Sequence, residues 1–121
     1  MPMTLAARAR TWAPPFALMA LIFGLSAQPD LNSGLGLADT IGRKILHACE
    51  YGLLAFLWWR ALRTTEMRAM AIPMALLLTV AYAVSDEFHQ TFVHGRHGSP
   101  VDVAIDSLGA ALVLSRLRRR R

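Results

Sequence analysis

SDEFHQTFVHGRHGSPVDVAID, residues 85–106, holds four acids, three histidines and one arginine within twenty-two positions. It stands between two apolar runs. AIPMALLLTVAYAV, residues 71–84, leads into it, and SLGAALVLS, residues 107–115, leads out of it into a cluster of arginines. The surrounding chain is greasy: 55% of its 121 residues are hydrophobic, and its charged share is 17%, against about a quarter in ordinary soluble domains. Charge collected at one place in such a chain needs a fold that keeps it away from apolar surroundings.

Working outward, three more apolar segments appear, and together the four predict one domain over residues 1–121 with spans at about 11–28, 44–62, 69–89 and 101–116. Leu, Ala and Met dominate and β-branched residues are few, which favours helices over strands. Each segment comes near the roughly 20 residues that cross a bilayer core. Residues 13–27 and 69–84 show no polar stripe, unlike the helices of a soluble bundle. Arg8 and Arg10 precede the first segment, and GLSAQPD offers no good A-x-A cleavage site, so the segment is read as retained and not as a leader. The fold class expected is an all-α integral membrane four-helix bundle.

The formal net charge of +5 reflects arginines crowded at segment ends, which is the pattern of membrane orientation, not of nucleic-acid binding. Arg8, Arg10, Arg60, Arg63, Arg68, Arg116 and Arg118 to Arg121 fall on one side of a four-span chain. Short basic loops stay inside, so both termini are expected in the cytoplasm of a multi-pass protein of the inner (plasma) membrane. Trp12, Trp58 and Trp59 suit the interfacial belt at that side. Pro14 and Pro15 are read in the first turn of the first helix, and Pro73 in that of the third. The lone Cys49 excludes an intrachain disulfide and is read as a small buried residue.

In this topology the ionisable groups inside the apolar segments share one depth, toward the outer face. At about 100° per residue, Lys44, His47, Glu50 and Tyr51 lie on one face of the second helix. Tyr82, Asp86 and His89 nearly eclipse one another on the third, with Gln90 beside them and Glu87 pointing elsewhere. Asp102, Asp106 and Gly109 form one line on the fourth. A charge facing lipid costs about 2.5–3.5 kcal/mol on insertion scales, so the stripes are expected to turn inward and make a polar pocket.

The ordered pattern Lys44-x2-His47-x2-Glu50-Tyr51, then SDEFHQ at 85–90, GRHGS at 95–99 and Asp102-x3-Asp106-x2-Gly109 resembles the VanZ-like family over roughly residues 24–115. The resemblance implies a small membrane protein of about four helices, with a context of glycopeptide (teicoplanin) tolerance in the cell envelope. It implies no particular reaction.

The candidate ligand-binding residues are therefore Lys44, His47, Glu50, Asp86, Glu87, His89, Gln90, Arg96, Asp102 and Asp106. Arg96, between glycines, presents a fixed fork of donors beside backbone that is free to turn toward an anion. With Lys44 it points to an anionic envelope lipid, a cell-wall precursor or a glycopeptide-type ligand. The same donors leave a hydrolase or transferase of a lipid phosphate open, as well as a purely structural charge network. No HExxH or DxDxD motif is present. No metal and no cofactor is expected, the partners expected are membrane lipids and not nucleic acid, and the reading leans away from an enzyme.

Overall fold

A computed structural model of the chain describes residues 3–26, 37–92 and 100–119. Among these residues the backbone forms four α-helices and no strand. They are α1 Leu5–Ser26, α2 Leu37–Leu62, α3 Ala71–Gln90 and α4 Pro100–Arg119, with a single 3-10 turn at Arg68–Met70 between α2 and α3. The all-α four-helix reading stands. Arg96 lies outside the described residues.

Two helix starts differ from expectation. α1 begins at Leu5, about two turns before the anticipated residue 11, because the Thr4 hydroxyl accepts the backbone N–H of Ala7 (3.1 Å) and caps the helix there. Pro14 and Pro15 consequently sit inside α1 and not in its first turn. Pro14 has no N–H for the carbonyl of Arg10. That carbonyl is taken instead by Arg60 Nη2 of α2 at 2.8 Å, so a contact between helices replaces the missing bond within one. α2 likewise begins at Leu37, ahead of the expected residue 44: Arg43 and Lys44 are part of the helix, not its flank. α2 ends where the hydroxyls of Thr64 and Thr65 turn back onto the carbonyls of Ala61 and Leu62, each at 2.7 Å. Pro73 falls in the first turn of α3, as expected.

The pairs between helices define the topology. Arg10 meets Arg60, and Trp12 and Phe16 both meet Trp58, so α1 and α2 run antiparallel. Met19 meets Tyr82 and Phe23 meets His89, so α1 and α3 run parallel. Lys44 pairs with Asp102 and His47 with Asp106, so α2 and α4 run parallel as well. The bundle is up-down-up-down. Arg8, Arg10, Arg60, Arg63, Arg68, Arg116, Arg118 and Arg119 gather at one end, and the acids of α3 and α4 lie toward the other.

Side-chain size is distributed inside out. The core contains Ala55, Ala61, Ala71, Ala75, Ala83 and Ala110 beside Tyr51, Leu54, Trp58 and Leu114. Phe16, Leu21, Leu46, Leu77, Phe88, Leu108 and Leu112, distributed over all four helices, are each more than half exposed. Small residues let helix backbones approach closely, which is how helices associate where apolar surface gains nothing by leaving its solvent. Among the described residues, Arg68–Gln90 is the one segment long and apolar enough to cross a membrane by length and composition, with a mean hydropathy of 1.6. The other helices carry charges, such as Arg43, Lys44 and Glu50 in α2 and Asp102 and Asp106 in α4, that lower their hydropathy.

Two single-residue expectations are corrected. Cys49 is exposed, because it lies on the face of α2 turned away from the other helices. Trp58 is buried in the core, wedged against Trp12 and Phe16, rather than lying in a surface belt. Trp59 is partly buried against the core, with the Arg63 guanidinium 4.7 Å from its ring centre.

Candidate functional site

The polar layer is built by three helices, and its first requirement is close packing of α2 on α4. Ala48, Gly52 and Gly109 supply it. A Cβ added at Gly109 would collide with the backbone of Ala48, and one at Gly52 would press on Val113. The two parallel helices thus touch backbone to backbone just below their charged turns.

Above that contact stand two ion pairs in matching register. Lys44 Nζ donates to Asp102 Oδ1 at 2.7 Å, and His47 Nδ1 lies 3.8 Å from Asp106 Oδ1. Side-chain exposure falls from 41% and 32% for the first pair to 28% and 6% for the second. The layer is therefore wet at the helix ends and closes inward.

α3 completes it. Tyr51 of α2 is fully buried, and its hydroxyl donates to Asp86 Oδ2 at 3.2 Å; Gln90 Nε2 donates to the same oxygen at 3.3 Å. Asp86 and Asp106 are each 4% exposed. Glu87, one residue and about 100° further round α3, does not point away from the layer. It lies within charge-interaction range of Asp102, Asp86 and Lys44. Glu50 is half-buried within similar range of His47 and Asp86. Lys44, His47, Glu50, Asp86, Glu87, Gln90, Asp102 and Asp106 are thus brought together.

His89 goes elsewhere. It turns toward α1, where its ring stacks on Phe23 with centroids 4.2 Å apart. Tyr82 follows it, donating to the carbonyl of Met19 at 2.5 Å. One turn at the end of α3 hence serves three neighbours: Asp86 faces α2, Glu87 faces α4 and His89 faces α1.

Hydrogen bonding in the layer is incomplete. Among the described residues Asp86 Oδ1, Glu87 Oε1 and Asp106 Oδ1 are enclosed and take part in no hydrogen bond, and outside the layer neither does His89 Nδ1. Among the described residues no three His, Cys, Asp or Glu side chains converge as metal ligands do. Sequence reasoning did not single out Ala48 and Gly52, although the small-xxx-small spacing they form is a recognised sign of close helix approach.

The family model described as VanZ/LLP1 matches residues 4–117 of the chain. No curated protein and no solved structure matches it.

Proposed function

Because this chain belongs to the VanZ/LLP1 family, we propose that it is a multi-pass protein of the inner membrane whose four helices all cross the bilayer. Both termini lie in the cytoplasm, and the acidic layer faces the outer leaflet. The observation that carries this reading is the inside-out distribution of side chains: large apolar groups face outward on every helix around a core rich in alanine. At about 1.5 Å per residue, helices of 20 to 26 residues are long enough for a hydrocarbon core of about 30 Å. The arginines at the opposite end match the side on which short basic loops are retained.

At the outer face the layer binds an envelope ligand, an anionic lipid headgroup or a glycopeptide-type molecule, and so links the protein to glycopeptide tolerance. Lys44, half-exposed at the wet end of the layer, and Arg96, in the segment joining α3 to α4, supply the positive groups. A purely structural network accounts less well for the layer. Interhelical hydrogen bonds in membranes contribute only about 0.6 kcal/mol on average, whereas each charge costs about 2.5–3.5 kcal/mol to insert.

Arg96→Gln tests the binding reading. It should leave the protein folded and inserted at normal levels while abolishing its effect on glycopeptide sensitivity. A fall in folded protein that Asp102→Asn restores would instead assign Arg96 to neutralising the acids.

A further inference from the structure

We propose that the acidic layer at the meeting of α2, α3 and α4 takes a primary ammonium group. The inference rests on reading the layer as a ligand site, but not on which anion accompanies the ammonium.

Glu50, Asp86, Glu87 and Asp102 all lie within charge-interaction range of Asp106. Among the described residues, donors reach only part of them. Lys44 is committed to Asp102 at the exposed edge. Tyr51 and Gln90 both donate to one oxygen of Asp86, leaving the other oxygen enclosed without a hydrogen bond. Asp106 Oδ1 lies 3.8 Å from His47, beyond hydrogen-bond length, and is enclosed too. Glu87 Oε1 makes a third acceptor without a donor. Asp86 and Asp106 are almost wholly buried, and buried acceptors without donors carry the full cost of desolvation.

The missing group is defined by what these oxygens lack. It must be cationic, because the acceptors are carboxylates, and a group with several donors serves more of them than a group with one. A primary ammonium offers three N–H groups and no acceptor. It bonds to oxygen at about 2.7–2.9 Å, whereas small divalent ions demand tighter convergence, at about 2.0–2.6 Å. Its charge-assisted bonds are about twice as strong as neutral ones. A quaternary ammonium has the same charge but no N–H, and it leaves the three oxygens as they are.

That contrast supplies the test. The purified full-length protein is titrated with phosphatidylethanolamine, phosphatidylcholine or phosphatidylglycerol, and lipid retention is read by native mass spectrometry. The first two lipids share a phosphate and differ in N–H donors. Retention of phosphatidylethanolamine should exceed that of phosphatidylcholine by roughly tenfold or more, the worth of one charge-assisted hydrogen bond. Asp86→Asn with Asp106→Asn should bring that ratio close to one. If the double variant does not fold, the wild-type ratio decides alone.

Free ethanolamine distinguishes a soluble source of the same group. It should raise the unfolding temperature of the wild type more than sodium or tetramethylammonium at equal concentration. Stabilisation by ethanolamine without phosphatidylethanolamine preference assigns the site to a soluble amine. Equal retention of the two zwitterionic lipids with no ethanolamine effect overturns the proposal, and so does sodium stabilising as well as ethanolamine. Loss of phosphatidylglycerol binding in Lys44→Gln or Arg96→Gln concerns the anion reading and leaves the ethanolamine-to-choline ratio to report on this one.

Discussion

Gly109 shows how one missing side chain positions the whole site. Its Cα hydrogen occupies the space in which a Cβ would meet the backbone of Ala48. Backbone cannot rotate out of the way, as the tip of a flexible side chain can. Gly109→Ala should therefore push α4 away from α2, at a cost of about 1–3 kcal/mol typical of overpacking. The displacement should also lengthen the Lys44–Asp102 and His47–Asp106 pairs above it. Gly24, which has open space where a Cβ would go, is the control. Gly24→Ala should be neutral or stabilising by up to about 1 kcal/mol, since glycine inside a helix is disfavoured against alanine. Reversible unfolding in mixed micelles measures both, and equal effects would remove the close approach from the account.

At the scale of the helices, α1 is held by a device that spans two elements. Pro14 frees the carbonyl of Arg10, and Arg60 of α2 caps it. The pair is testable as a double-mutant cycle. Arg60→Ala should cost about 0.5–1.5 kcal/mol in the wild type. In the Pro14→Ala background, where α1 can satisfy that carbonyl itself, the cost should shrink toward zero. Additive effects would mean that Arg60 stabilises the bundle in some other way. The same device explains what was hidden in the sequence. Two adjacent prolines look like a helix start when only their own segment is considered, because their repair comes from residue 60. The spacing of Lys44, His47, Asp86, Asp102 and Asp106 was legible, because helical periodicity alone assigns residues to faces. Which neighbour each face meets was not. Angle alone groups His89 with Asp86, but the His89 ring stacks on Phe23 of α1. Glu87 was turned away from the layer by the same reasoning, yet α4 reaches it from the other side. Arg43 and Lys44 read as a flank in the sequence alone, because the Asp102 that holds Lys44 within the bundle is 58 residues away.

For the whole molecule, the central claim is a polarity between two ends. Alternating helix directions bring Arg8 and Arg10 of α1, Arg60 of α2 and Arg116, Arg118 and Arg119 of α4 to one end, whereas Arg43 and Lys44 of α2 stand with the carboxylates of α2, α3 and α4 toward the other. The lateral surface between them is apolar. The proposed membrane orientation puts the basic end in the cytoplasm, the side on which short basic loops are retained. The direct measurement is cysteine accessibility in intact cells, with Cys49 first replaced by alanine because it is exposed. Single cysteines are then placed at Gly98, between α3 and α4, and after Arg121. A membrane-impermeant maleimide should label the cysteine at position 98 in intact cells and the C-terminal one only after lysis. The reverse pattern, or labelling of both positions in intact cells, would contradict the proposed orientation and remove the acidic layer from the outer face.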